Sequence, residues 1–394
     1  MKISMLFNHN SPGNEVVKLT QEMIRFPSIS GEENDLAEFL AGVMKQKGLL
    51  VEKIPTKDGR FNVVGKLQGM EGGPVLVMNG HMDVVPAGDL EKWTHDPFSG
   101  EIVDGRIYGR GATDMKAGLA SMIEAAGLLV TRDKPLRGTF VVQAVVDEER
   151  GGLEGTARIL MNKEHRGTFA VVGEPTALQL LIAYKGCLRL EIVTSGVAAH
   201  AATPERGVNA IHKMIPIMNE LLTLSEKFRW QERKHELVGV PSMVISIVEG
   251  GTAPNVIPDR CRLIVDRRIV PNIENLEMAK REIEEILTTE KERDPDLNVK
   301  AVVTTEIEPV EIDEHEKMVG AAKRVIEHVL GEPCRVSGMQ AFSDAGWFVR
   351  NGTPAINLGP GLPEEAHRVN ENVEIEQIFD AVSIYHAIAT DILA

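Results

Sequence analysis

Three features of the sequence predict an α/β protein built from two domains. Short β-branched runs alternate with amphipathic helical segments through residues 14–178. After Pro175 the order of elements changes, and from about residue 312 the first pattern returns. The chain, at 394 residues, also exceeds the usual size of a single hydrophobic core.

Taken in order, an amphipathic stretch at 33–48 predicts the first clear helix, and "NVVGKL" and "PVLVMNG" (74–80) predict strands. A helix follows in "KAGLASMIEAAGLLV" (116–130), then strands in "GTFVVQAVVDEE" (138–149) and "FAVVGEP" (169–175). Apolar strands separated by helices imply a mainly parallel sheet covered on both faces. Residues 185–195, 206–227, 242–249, 261–269, 273–288 and 297–305 then read as strand, helix, strand, strand, helix, strand. That βαββαβ order is the ferredoxin-like unit, which can fold as a small domain of its own. A helix at 314–329, a strand in "PAINLG" (354–359) and a last helix at 373–391 return the chain to the larger domain. The expected division is therefore 1–178 with 309–394 as one domain and 179–308 as an insert. The charged run "TTEKERDPD" (288–296) reads as a solvated helix end and turn.

The chain carries 58 acidic against 43 basic residues, a net charge of −15. This balance excludes nucleic acid and anionic membrane as main partners. "MKISMLFNHNSPGN" is too short in apolar residues for a secretory signal, and no later run approaches spanning length, so a cytoplasmic protein is expected. Cys187, Cys261 and Cys334 lie far apart without a Cys-x-x-Cys, which predicts buried thiols rather than disulfides or a thiolate metal site.

Acids and histidines recur where the strands of the larger domain stop, which is where an open α/β sheet places its ligand crevice. These are His81 with Asp83 in "NGHMDVVP", Asp114 in "GRGATDMK", Glu148 and Glu149, Glu174 in "GEP", and His367 in "EEAHRVNE". Singly, each has a plainer reading: Asp114 as a helix cap, the paired glutamates as a solvated strand end, a histidine as structural. Together they form a mixed oxygen and nitrogen donor set that suits zinc, cobalt or manganese. Residues two apart on an extended segment point to the same side, so the Asp83 carboxylate is expected behind His81, accepting its second ring N–H.

Seven stretches, "HMDVVP", "DGRIYGRGATDMKAG", "VVDEERGG", "GEPT", "AAHAATPERGVNAI", "APNVIPDRCRLIVDRR" and "AHRVNE", occur in an order that resembles the M20 peptidase family. That group includes acetylornithine deacetylases, succinyl-diaminopimelate desuccinylases, aminoacylases and glutamate carboxypeptidases. The resemblance runs from about residue 15 to the C-terminus. It implies a zinc-peptidase-like catalytic domain with a mixed sheet, an inserted lid, a homodimer formed through the lids, and two divalent ions per chain, usually zinc. Matched motif by motif, His81, Asp114 and Glu174 would hold one ion and Asp114, Glu149 and His367 the other, with Asp114 bridging. Two ions bring four positive charges and three carboxylates bring three negative ones, so one hydroxide makes the site neutral.

The resemblance also makes Glu148 the general base. His200 would polarise the scissile carbonyl from across the dimer. Arg268 would pair with a substrate carboxylate, with Asn255 beside it. Gly359 and Gly361 in "GPG" would allow either close approach to substrate or a tight turn. The expected substrate is an N-acyl amino acid, with a short peptide as the alternative. The chain departs from the desuccinylase pattern in two places. Ala341-Phe342-Ser343-Asp344 stands for Gly-Thr-Ser-Asp, and "YKGCLRLE" stands for a lid opening on Arg-Arg-Gly, while "GEPTALQLLIAYKG" leans toward the acetylornithine deacetylases. A nucleotide-dependent oxidoreductase fails as a rival, because Asp114 occupies the third glycine position after Gly109-x-Gly111. A silent scaffold would lack a ligand or the base, and all six positions are present.

Overall fold

The computed structural model describes residues 15–230 and 233–393. The N-terminal stretch read above for a signal lies outside them. The chain divides into two compact units, one of Met1–Ile182, Ile312–Ser337 and Ser343–Ala394, the other of Ala183–Glu311 and Gly338–Phe342.

The first unit is α/β around a mixed sheet. Leu50–Pro55, Phe61–Gln68, Arg137–Val145, Met70–His81, Phe169–Val172 and Ala355–Asn357 lie side by side in that order. The last four are mutually parallel, whereas the two outer pairings at the Leu50 edge are antiparallel. The sheet is thus less uniformly parallel than the apolar runs imply. Phe61–Gln68 is joined to Leu50–Pro55 by a tight turn through Gly59, and only an antiparallel pair accepts so short a link.

The helix Ala117–Val130 is buried on nearly every side, which its composition of Ala, Leu, Met and Ile permits. It packs against Ile375–Leu393, and a Cβ on Gly118 would sit 2.3 Å from the Gly173 carbonyl oxygen. Helix and strand end therefore touch backbone to backbone, and Glu174 follows directly. Among the described residues no helix is long and apolar enough to cross a membrane. All three cysteines are free, two of them buried and Cys334 half-buried.

The second unit runs Gly186–Ser195, Ala210–Trp230, Ser242–Gly250, Arg260–Ile269, Leu276–Arg293 and Asn298–Ile307. Its strands pair antiparallel, with Arg260–Ile269 and Asn298–Ile307 flanking Gly186–Ser195 and Ser242–Gly250 at one edge. The alternating burial of Gly186–Ser195 sends Leu188, Leu190 and Ile192 into one core with Met214, Ile217 and Ile283 of the helices. Gly338–Phe342, which the sequence reading left in the larger domain, joins this unit. Lys185 donates its amide N–H to the Met339 carbonyl at 3.2 Å, and the Gln340 side chain donates to the Val238 carbonyl at 3.1 Å.

Candidate metal centre

The candidate residues of the first unit stand at the C-terminal end of a strand or in the turns and loops beyond one. His81 ends Met70–His81, and Asp114 lies in the turn before Ala117–Val130. Glu148 and Glu149 open a 3-10 turn after Arg137–Val145 rather than ending the strand itself, because Asp147 takes a left-handed conformation (φ 71°) and turns the chain. Glu174 follows Phe169–Val172, and His367 (φ 63°) lies in the loop before Asn372–Glu374.

These side chains converge. His81 Nε2 is 3.0 Å from Asp114 Oδ1, and His367 Nε2 is 3.3 Å from Asp114 Oδ2 and 2.9 Å from Glu149 Oε1. Asp114 thus offers one oxygen to each histidine, which is the geometry of a bridging ligand. His81, Glu148 and Glu174 are 1%, 7% and 5% exposed, while the His367 side chain is 48% exposed, so the cluster opens to solvent on the His367 side.

Among the described residues, two groups of donor atoms lie within 4.8 Å of one another: His81, Glu148 and Glu174, and His81, Asp114 and Glu149. The first differs from the set implied by resemblance, in that Glu148 stands where Asp114 was expected. Burial, followed by the repulsion of Glu174, pushes the Glu148 acid well above the usual carboxylate range; burial and then Asp114 do the same to Glu174. Both shifts record negative charge crowded into a dry site, which a cation between the two acids would relieve.

The donor set fits divalent cations. His81 gives its Nδ1–H to the Asp83 backbone carbonyl at 2.8 Å, so Nε2 is the nitrogen that faces the cluster and can bind a cation once its own proton is displaced. Burial opposes a charge on this ring, yet the hydrogen bond to Asp114 and the charge of Glu148 raise its pKa well above the usual value. The hydrogen bonds to Asp114 and Glu149 raise His367 to about 10. Glu174 Oε1 is buried without a hydrogen-bond partner. Protons on these groups hold the place that positive ions would take, and an orphaned buried carboxylate oxygen is a donor awaiting one.

Asp83 corrects the sequence reading. Its carboxylate is 3.8 Å from His81 Nδ1, too far for the expected hydrogen bond, and the carbonyl of the same residue takes the N–H instead. The carboxylate accepts from Glu148 N at 3.1 Å, Glu149 N at 3.2 Å and Ser30 Oγ at 2.7 Å. Asp83 therefore holds the histidine with its main chain and the turn of paired glutamates with its side chain.

Gly359 and Gly361 lie beside the Glu174 segment and in a left-handed backbone position, respectively. A Cβ on Gly359 would lie 2.3 Å from the Gly173 carbonyl oxygen and 2.6 Å from that of Glu174, and Gly361 has φ 98°. The close approach of Gly359 is to the Glu174 segment.

His200, Asn255 and Arg268 belong to the second unit. His200 is exposed and pairs through its backbone with Val256, and Ala201 donates its N–H to the Asn255 carbonyl at 2.9 Å. His200 Nδ1 accepts the Ala202 N–H at 3.1 Å, which leaves its proton on Nε2. Arg268 is half-buried, with Nε 2.7 Å from Asp266 Oδ1.

Sequence reasoning passed over three residues at the first site. Asp344, buried and pushed up to about 7 by burial, accepts from Thr156 Oγ1 at 2.7 Å. Glu371 and Arg110 form a buried ion pair at 2.5 Å. All three stand within the sequence stretches named above, but nothing local signals what they touch.

Peptidase family M20/M25/M40 matches residues 77–391. The succinyl-diaminopimelate desuccinylase of Pseudoalteromonas atlantica is 30% identical over 388 residues, 96% of this chain and 99% of that protein. An M20 family metallo-carboxypeptidase from Sulfolobus solfataricus has a TM-score of 0.81 at 20% identity, covering 95% of this chain and 98% of that one. A Bacillus subtilis protein described as a dinuclear metal binding peptidase from the M20 family has a TM-score of 0.71 at 18% identity, covering 96% and 97%. At those identities the two structures speak for the fold alone. The chain belongs to peptidase family M20/M25/M40, a family of hydrolases.

Proposed function

We propose that the protein is a dinuclear metal-dependent hydrolase that cleaves the amide of an N-acyl amino acid. The observation that carries this reading is the Asp114 carboxylate, which spans His81 and His367 inside a cluster containing Glu149 and Glu174. In this reading His81, Asp114 and Glu174 hold one ion and Asp114, Glu149 and His367 the other, with zinc first and cobalt or manganese as alternatives. Bound there, the ions supply Lewis acidity to the scissile carbonyl and to the attacking water.

The chain's own residues do the rest. Glu148 is 3.9 Å from His81 Nε2 through its nearest oxygen, farther than Asp114, and reaches neither histidine as a bridge. It takes a proton from water and returns it to the leaving amine. The Asp83 carboxylate keeps the Glu148 and Glu149 amides in register for that transfer. His200, with its proton on Nε2, donates to the developing oxyanion, and Arg268 receives a substrate carboxylate with Asn255 alongside. The second unit serves as a lid and homodimer contact, His200 acting on the site of the neighbouring subunit. A cytoplasmic setting belongs to the same reading.

An acyl amino acid is preferred to a peptide because the desuccinylase likeness extends over nearly the whole of both chains. A panel of N-acetyl, N-succinyl, N-formyl and dipeptide substrates on zinc- or cobalt-loaded protein tests this. Turnover of one acyl class above dipeptides is expected. Turnover of dipeptides alone contradicts it.

A further inference from the structure

Glu371 is fully buried, and one of its carboxylate oxygens, Oε1, accepts two consecutive backbone N–H groups, those of Thr113 and Asp114, each at 3.0 Å. The other oxygen accepts from Arg110 Nη1 at 2.5 Å. Arg110 is itself 3% exposed, and its two Nη groups also reach backbone carbonyls: Arg368 at 3.3 Å from Nη1, His367 at 3.3 Å and Pro86 at 3.4 Å from Nη2. The pair therefore grips the peptide that carries Asp114 with one end and the peptide that carries His367 with the other. His367 needs such a grip, because a non-glycine residue at φ 63° sits in a costly backbone region. The side chains so held are the two that meet at 3.3 Å, His367 Nε2 and Asp114 Oδ2.

We infer that Arg110 and Glu371 are positioning residues for one ion of the pair, the ion held by Asp114, Glu149 and His367. The inference rests on the two-ion reading above and deepens it. Among the described residues, no hydrogen bond links the pair to the side chains of His81 or Glu174. Asp114 is shared between the ions, but its contact with His81 is also fixed from the other side, where the Asp83 carbonyl orients the ring. The carboxylate contributes a fixed hydrogen-bond acceptor for two amides in a dry setting, where such bonds are strong and directional. A merely structural ion pair would stabilise the fold without preferring either ion.

The test uses the full-length chain stripped with chelator and titrated with Co²⁺, following visible absorption for affinity and native mass spectrometry for stoichiometry, with the metal-free melting temperature measured in parallel. Glu371→Gln keeps an oxygen for the two amides and loses the charge that faces Arg110. Removing one member of a buried pair leaves the other charge stranded and strongly destabilises, so the double variant Glu371→Gln/Arg110→Met is made as well. In both variants the first Co²⁺ is expected to bind as in the wild type, and the second about 10–100-fold more weakly, the usual cost of losing a residue that orients a ligand. Two ions bound with wild-type affinities, whatever the melting temperature, would overturn the inference, as would equal weakening of both. A wild-type chain that takes up no Co²⁺ would sink the two-ion reading itself, an outcome separable from the other two because it appears before any substitution is made.

Discussion

His81 and His200 are the same side chain set to opposite purposes. His81 is buried and gives Nδ1–H to a backbone carbonyl, so Nε2 is turned to the Asp114 carboxylate and offers a lone pair once an incoming cation displaces its proton. His200 is exposed and takes a backbone N–H on Nδ1, so it shows its surroundings an N–H. One main-chain contact on the far nitrogen decides whether the near nitrogen is a ligand or a hydrogen-bond donor. A histidine's chemistry is therefore set by the group behind it, in the first unit by Asp83 and in the second by Ala202.

The contrast can be broken at several points. His81→Ala should have the largest effect: at least one ion per chain is lost and turnover falls to background, because among the described residues no other histidine enters that end of the cluster. Metal retained at the wild-type level would remove His81 from the ligand set. His200→Ala should leave metal content untouched and lower kcat by about 10²–10³, the usual cost of one oxyanion donor. If His200 serves a neighbouring subunit, mixing His200→Ala with Glu148→Gln under exchange conditions restores activity. About half the dimers are then hybrids with one intact site of two, giving roughly a quarter of wild-type activity. Exchanged mixtures that stay inactive would confine His200 to its own chain or exclude it from catalysis.

Asp83→Asn should do less than either. The carbonyl behind His81 survives, while an amide oxygen replaces a carboxylate that serves the Glu148 and Glu149 amides, so metal affinity should fall by roughly tenfold, the low end for an orienting residue. An unchanged affinity would make Asp83 a fold residue only. The smallest effect is one of pH. His367 is raised to about 10 by Asp114 and Glu149, so in the metal-free protein it carries its proton through neutrality. An incoming ion must displace that proton, so affinity should strengthen as pH rises from 6 to 9, with net proton release seen by calorimetry in buffers of different ionisation enthalpy. Binding without proton release would contradict the arrangement around His367.

Much of this candidate site was legible in the sequence, because several of its residues fall at strand ends, and strand ends are marked by apolar runs that stop. Glu174 follows such a run directly, whereas Asp114 and His367 lie in the loops beyond and stand out through the motifs around them. What escaped depends on contacts without a local signature. The outer antiparallel strands read like their parallel neighbours, since both are apolar and β-branched. Asp83 follows the period-two rule in sequence, but the strand ends at His81, so the rule no longer governs where the carboxylate points. Glu371 acts on Thr113 and Asp114 through amides, which any residue type possesses, so nothing at 113 or 114 announces the partner.

The account stands most directly on Glu148, which lies close enough to His81 and Glu174 to be mistaken for a ligand. Glu148→Gln protein, measured for metal by elemental analysis and for turnover on the same sample, separates the two roles. Two ions per chain with kcat reduced by about 10²–10⁴ is the expected result, since the amide keeps size but cannot accept the proton. Loss of an ion, or turnover above a tenth of wild type, would show that Glu148 is not the base of a two-ion site.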